Sequence, residues 1–287
     1  MILKSVKRRW YINKILGTLA IVTGSVGLMI LIWIILEVVF RGIQAFSAEF
    51  FTEIQKPPGL KEESGLLHAI LGTLVMTFLA GALAIPCGIL GGIYLSEFGG
   101  NSKFAGIIRY FLNLLKGTPT IIIGVALYFI VVVPSGGFSG FAGALSLAII
   151  MFPFIMEAVD NELRLIPREL REAAAALGAS LSKTTWSVLL RGSRSALFVA
   201  ILFVIARAAG ETAPLIFTAL NNTFLPGAIS EPYPNLTVTI YQYALSPFRS
   251  MQTLAWGGSL LVMLFILIMA FLVRLSETRK RQAIHGK

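Results

Sequence analysis

RELREAAAALGASLSKTTWSVLL, Arg168 to Leu190, sets a charged, alanine-rich pattern between two long apolar stretches. The run is too polar to cross a bilayer, and its punctuation predicts one short helix. Pro167 suits a first helical turn, where a missing N–H costs nothing, and Gly178 sits where a helix stops. A stiff surface helix with small Ala side chains and a few charges fits a groove in another protein. Because this one is joined to apolar runs on both sides, it is a candidate joint through which a partner pushes on a membrane bundle. An ordinary loop helix is the plainer alternative.

The surrounding sequence supports a membrane setting. Hydrophobic residues make up 56% of the 287 residues and mean hydropathy is +0.82, which excludes an ordinary soluble domain. Crossing ~30 Å of hydrocarbon takes about 20 apolar residues. Six runs qualify: Ile15 to Phe40, Leu66 to Leu95, Thr120 to Val133 with some lead-in, Phe138 to Val159, Ala196 to Leu220, and Leu254 to Val273. The third is short between Pro119 and Pro134, and the apolar face of Phe104 to Leu115 is its candidate lead-in.

Lys and Arg are concentrated at the joints between these runs. Five Lys/Arg precede the first (Lys4, Lys7, Arg8, Arg9, Lys14), and three follow the second (Lys103, Arg109, Lys116). Six lie around the opening stretch (Arg164, Arg168, Arg171, Lys183, Arg191, Arg194), and five close the chain (Arg274, Arg279, Lys280, Arg281, Lys287). The opposite side has only Arg41, Lys56, Lys61 and Arg249, with Arg207 inside a run. By the positive-inside rule, both termini and the Arg168–Leu190 loop are expected in the cytoplasm. The net charge of +10 is thus a topology signal, and no basic or aromatic recognition motif supports nucleic-acid binding. The basic start and first run read as a retained anchor, because at 26 residues the run lacks a small-residue cleavage site near its end.

Two loops on the less basic side are long. Arg41 to Gly65 carries Glu49, Glu53, Glu62, Glu63 and the Pro57-Pro58-Gly59 turn; Asn221 to Ser250 carries Pro226-Gly227 and Glu231-Pro232-Tyr233-Pro234. Receiving a soluble substrate carrier and merely capping the bundle both fit such turn-rich segments. Small residues, including Gly72, Gly81, Gly88, Gly91 and Gly92 in the second run and Gly140, Gly143 and Ala144 near the fourth, permit close helix approach. Cys87 is the only cysteine, which excludes an intrachain disulfide and a thiolate metal site and suggests a small packed residue of the second run.

The candidate substrate chemistry is in RAAGETAPLIFTA, Arg207 to Ala219, within the fifth run. A charge at mid-bilayer costs roughly 2.5 to 3.5 kcal/mol on insertion scales, so Arg207 and Glu211 demand a reason. At i, i+4 they share a helix face and neutralise each other. Gly210 loosens the helix between them, and Pro214 leaves the Gly210 carbonyl without its usual donor. The helix is therefore weakest where the charges sit, as in transport helices that expose backbone to a substrate. An internal salt bridge that only orients the helix is the alternative. Thr212 and Thr218 are possible hydroxyl contacts, although such side chains often bond their own backbone.

Three segments carry a resemblance. Glu172, Ala173, Ala174, Gly178, Val188 and Leu190 fall at the spacing E-A-A-x3-G-x9-hydrophobic-x-L, which resembles the "EAA" loop of ATP-binding-cassette importer permeases; Arg191 stands where that family has proline. Arg207 to Ala219 is similar to a signature of the A-type permease of the phosphate-specific importer. NLLKGTPTIIIG, Asn113 to Gly124, and LRLIPRELREAAAALGAS, Leu163 to Ser180, extend the likeness, which covers about Gly72 to Arg274.

The resemblance implies an all-α membrane protein with the type I ABC importer permease fold: six transmembrane helices and cytoplasmic termini. Its parts would be residues 1–65 as N-terminal segment, first helix and external loop, 66–275 as transmembrane domain with coupling loop 163–191, and 276–287 as tail. It implies a bacterial plasma-membrane permease for inorganic phosphate, embedded in membrane lipid. Its partners would be a C-type permease, an ATP-binding-cassette ATPase dimer and an extracytoplasmic phosphate-binding protein. Glu172, Ala173, Ala174 and Gly178 would meet the ATPase, while Arg207, Glu211 and Thr212 would line the substrate path at the helix break of Gly210 and Pro214. No catalytic residue, metal or cofactor is expected in this chain, with ATP and Mg held by the ATPases. A permease for molybdate, tungstate or phosphonate is the alternative, followed by an ion-gradient-driven transporter.

Two further stretches have motif-like spacing. GASLSKT, Gly178 to Thr184, is similar to a phosphate-binding loop, but Ser182 replaces the glycine before Lys183 and Leu177 the first glycine. Gly137-Phe138-Ser139-Gly140 with His68 resembles an intramembrane serine protease motif, but those enzymes place the histidine after the serine, and here the only later one is His285.

Overall fold

The computed structural model describes residues 2–57, 64–100 and 102–285, without the side chains of 2–8 and 276–285. Pro58, Gly59, Lys61, Glu62, Glu63 and Lys287 of the sequence reading lie outside the described residues, as do the side chains of Lys4, Lys7, Arg8, Arg279, Lys280, Arg281 and His285. Every regular element among the described residues is helical.

The first apolar run and the basic segment before it form one helix, α1 (Ile2–Gly42). It touches the rest of the chain near its end, where a Cβ on Gly42 would lie 2.6 Å from Leu260 Cβ and the rest of its apolar surface stays open. The following loop contains a short helix, α2 (Ala48–Thr52), N-capped by Ser47 and anchored by the fully buried Phe50.

The centre of the bundle is the pair α3 (Leu67–Phe98) and α6 (Gly140–Arg164). Their glycines explain the closeness. A Cβ on Gly88 would come within 2.7 Å of Ile155 Cγ2, one on Gly92 within 2.5 Å of Val159 Cβ, and one on Gly143 within 2.9 Å of Met76 Sδ. In each pair the partner lies 67 positions along the chain, so the two helices run parallel. Parallel neighbours require the chain between them to recross the bundle. That return is made by α4 (Lys103–Gly117) and α5 (Thr120–Ser135), which meet at 101°. The expected third span is therefore corrected: Phe104 to Leu115 is no collinear lead-in but a separate helix lying across the end of the bundle. Pro119 forces the corner, because its ring disfavours helical geometry at Thr118. Among the described residues, five helices are long and apolar enough to span alone, and up to six crossings result when the bent pair counts as one.

The opening sequence forms α7 (Arg168–Ala176) and leads into α8 (Leu181–Ala209), which contains a π-turn at Thr185–Leu189. Arg191, at the family's proline position, lies within this continuous helix. The expected fifth span, Ala196 to Leu220, is corrected at both ends: α8 starts earlier and stops at Ala209, and a separate six-residue helix, α9 (Ala213–Thr218), follows. The second long loop is not loop throughout. Asn235 caps α10 (Leu236–Ala244), which packs on α3 and on the last helix, α11 (Arg249–His285). Cys87, expected to be packed, is exposed on α3.

Candidate functional site at the break between α8 and α9

At the end of α8 the backbone tightens and then stops. The Gly210 and Glu211 N–H groups donate three residues back, to Arg207 O and Ala208 O, both at 3.1 Å. Pro214, in the first turn of α9, has no N–H for the Gly210 carbonyl. The Glu211 carbonyl instead accepts from Thr237 Oγ1 of α10 at 2.7 Å. The helix is thus broken between Ala209 and Ala213, and the break is tied by a residue of the Asn221–Ser250 segment. Nothing in the TVTIY stretch around Thr237 carries a charge or motif that signals this role.

Arg207 lies in the last turn of α8 and Glu211 just beyond it, so they meet across the helix end rather than along one helix face. Arg207 Nη2 is 3.6 Å from Glu211 Oε1, close enough for Coulomb attraction but too long for a hydrogen bond. The guanidinium carbon is 5.0 Å from the centre of the Phe154 ring, a cation–π contact. Phe154 is near the middle of α6, which puts the charges at mid-bundle depth. Arg207 remains 46% exposed and Glu211 13%. The cation therefore keeps unused donors on an open face while the acid is largely enclosed.

Thr212 and Gly210 line a cavity of about 420 Å³ together with Thr237, Ser259, Met263 and Ile266. Its hydroxyls give it a partly polar wall. Thr218 is excluded from it: fully buried, its Oγ1 donates to Pro214 O at 2.9 Å. Another cavity, about 650 Å³ between α3, α8 and α11, is walled mostly by apolar groups such as Phe78, Ile85 and Phe265, with Thr73 and Thr77 as its hydroxyl-bearing residues.

The second predicted site, α7, sits at the end of the bundle where Arg109, Arg164 and Arg171 cluster. Gly178 has φ +77°, and the bonds Ala179 N to Ala174 O (3.0 Å) and Gly178 N to Ala175 O (2.9 Å) make a Schellman ending. Glu172 and Ala173 face outward with Leu177, which is 89% exposed, while Ala174 is buried against the bundle. The four predicted contact residues therefore do not share one surface. Gly178 to Thr184, the loop with phosphate-site likeness, is spent on this ending and on the Ser180 cap of α8. Ser139 likewise caps α6 by accepting from Ala142 N–H.

Residues 84–282 match the family described as binding-protein-dependent transport system inner membrane component. The chain is 40% identical to the phosphate transport system permease protein PstA of Haemophilus influenzae, over 94% of this chain and 95% of that one. To the protein of the same name from Xylella fastidiosa strain Temecula1 it is 36% identical, over 92% of each. Among solved structures, an inward-facing form of the MetNI methionine ABC transporter superposes with a TM-score of 0.58 at 25% identity, covering 74% of this chain and 95% of that one.

Proposed function

The chain belongs to the binding-protein-dependent transport system inner membrane components, and on that footing we propose that it is the permease subunit of an ATP-driven importer of inorganic phosphate. It is a multi-pass protein of the bacterial plasma membrane, with the type I importer permease fold. We place the Arg-rich end in the cytoplasm by the positive-inside rule, so both termini and α7 lie there. A C-type sister permease completes the pore, an ATPase dimer that binds ATP and Mg docks on α7, and an extracytoplasmic phosphate-binding protein delivers the ion.

The observation that carries the substrate reading is Arg207: loosely paired, half-open, and held over Phe154 at the depth where α8 breaks. A hydrogen phosphate passing this point meets a guanidinium whose planar donors match its oxygens. Glu211, 3.6 Å away, opposes the anion and so keeps binding weak enough for release. Its carboxylate also accepts a hydrogen bond from a protonated phosphate, which sulfate at neutral pH does not offer. Thr212 supplies a hydroxyl in the adjoining cavity. The exposed face of α7 favours an ATPase-driven machine over an ion-gradient transporter.

The test is uptake of labelled phosphate into liposomes containing the assembled importer. Uptake should require ATP, survive ionophores, and be competed by phosphate far better than by molybdate, tungstate or a phosphonate. Preferential competition by one of those anions would reassign the substrate, and collapse by ionophores would reassign the energy source.

A further inference from the structure

The last turn of α3, Tyr94–Phe98, is a π-turn: the Gly99 N–H reaches back to Tyr94 O at 2.6 Å. The Leu95 carbonyl, which an α-helix would pair with that N–H, is left to accept from side chains. Arg109 Nη2 of α4 donates to it at 2.8 Å and Arg164 Nη2 of α6 at 3.3 Å. Both arginines also hold Asp160, whose side chain is 9% exposed, with Nε distances of 3.1 and 2.7 Å. Glu97, in the same turn and 4% exposed, takes a two-pronged bond from Arg171 of α7, at 2.8 and 3.1 Å. Arg171 also donates to Leu163 O and Ile166 O, at 2.7 and 2.8 Å. Three arginines from three elements thus converge on one five-residue turn.

Such a network is weak evidence for stability, because burying charges costs about as much as their attraction returns. Its distinctive property is geometric: forked arginine bonds fix angles that apolar contacts leave free to slide. This matters at α7, whose only buried side chain is Ala174. With four of its donor bonds committed to protein oxygens, Arg171 is a brace, although it also lines a hollow of about 510 Å³ with Arg164 and Arg168.

We infer that Glu97, Asp160 and Arg171 are positioning residues for energy coupling: they join α7, the end of α3, α4 and α6 into one rigid lever, so that a push on α7 moves the helix carrying Phe154 and hence the floor under Arg207. This rests on α7 being the ATPase-docking helix. π-turns are frequent at functional sites, and here the irregular backbone is what frees the Leu95 carbonyl for the joint.

The experiment compares Glu97→Gln and Asp160→Asn with the unaltered importer, reconstituted with both permeases, the ATPase dimer and loaded binding protein. The expected result is retained ATPase binding and continued ATP hydrolysis, with phosphate imported per ATP falling about tenfold, inside the 5–150-fold range of ordinary coupling energies. A merely structural role would reduce the amount of complex and leave that ratio intact. An unchanged ratio in both variants overturns the inference. Where either fails to assemble, Arg171→Lys keeps the charge and loses the fork; it should show a smaller fall, and an unchanged ratio there has the same force. Glu172→Lys is measured in parallel. If it uncouples while the other variants do not, only the lever falls; if it too changes nothing, the docking role of α7 falls and takes the lever with it.

Discussion

Gly124 and Pro214 meet backbone to backbone: a Cβ on Gly124 would lie 2.6 Å from Pro214 Cα and 2.9 Å from Pro214 O. Two residues ninety positions apart, each within a stretch singled out in the sequence as a motif, thus touch at the helix break. Pro214 removes a donor from the α8 ladder, and Gly124 allows α5 to lie against the short helix that follows. The break is held on one side by α5 and on the other by Thr237 of α10.

Gly124→Ala therefore adds one methyl group where no room exists. Under 3.0 Å from backbone atoms, it must displace α5 or α9, and overpacking of this kind typically costs about 1–3 kcal/mol. The purified complex should lose thermal stability by that order, and phosphate uptake should fall more than assembly does. Gly106→Ala, with nothing within 4 Å of its Cβ position, is the control: it gains only the helix propensity of Ala, roughly 0.5–1 kcal/mol, and should lower neither. Equal behaviour of the two variants would show that the contact is unimportant.

How much of this was legible in the sequence depended on whether the signal was local. Pro167 and Gly178 bracketed α7, because helix ends are set by the residues beside them. Gly210 and Pro214 marked the break for the same reason. The start of α8 was missed because Lys183, Arg191 and Arg194 argued against membrane residence, whereas the helix simply extends beyond the apolar zone. The nine residues of α10 were too short for a periodicity to emerge from a turn-rich segment. Glu97 was invisible as a site: it is one acid at the end of an apolar run, and its partner Arg171 lies 74 positions away.

The docking role of α7 predicts that Glu172→Lys together with Gly178→Leu uncouples transport from ATP hydrolysis while leaving the permease in the membrane. Glu172 is on the exposed side, and Gly178 at φ +77° tolerates a side chain only with strain, roughly 1–2 kcal/mol. Uptake should drop strongly at constant membrane content. Normal uptake in the double variant would remove α7 from the coupling machinery.

Orientation is checked by labelling single cysteines with an impermeant thiol reagent. Cys87 is exposed on α3 and is first replaced by Ala, so that any signal comes from the introduced site. Cysteine in place of Glu53 or Glu231 should react from outside the cell, and in place of Lys183 or Lys280 only after permeabilisation. Because α3 and α6 run parallel, their order of exposure is linked: reaction at the Lys183 site from outside would invert the whole bundle rather than one hairpin.

Whether Arg207 and Glu211 form a transport site or a brace requires a test that separates charge from folding. An unpaired charge at this depth costs roughly 2.5 to 3.5 kcal/mol, so removing one partner should harm assembly on either account. Arg207→Gln with Glu211→Gln removes both charges and keeps hydrogen-bonding capacity and helix propensity. The pair's separation of 3.6 Å means that no direct hydrogen bond is lost, and the backbone tie from Thr237 to the Glu211 carbonyl does not depend on the side chain. The double variant should therefore assemble with its ATPase. If the pair only orients α8, phosphate import continues near its normal rate. If Arg207 meets the anion, the assembled complex fails to transport, because glutamine brings neither positive charge nor the planar fork. Near-normal uptake by the double variant would end the assignment of Arg207 to the substrate path and leave the cavity beside Thr212 as the place to look for the anion.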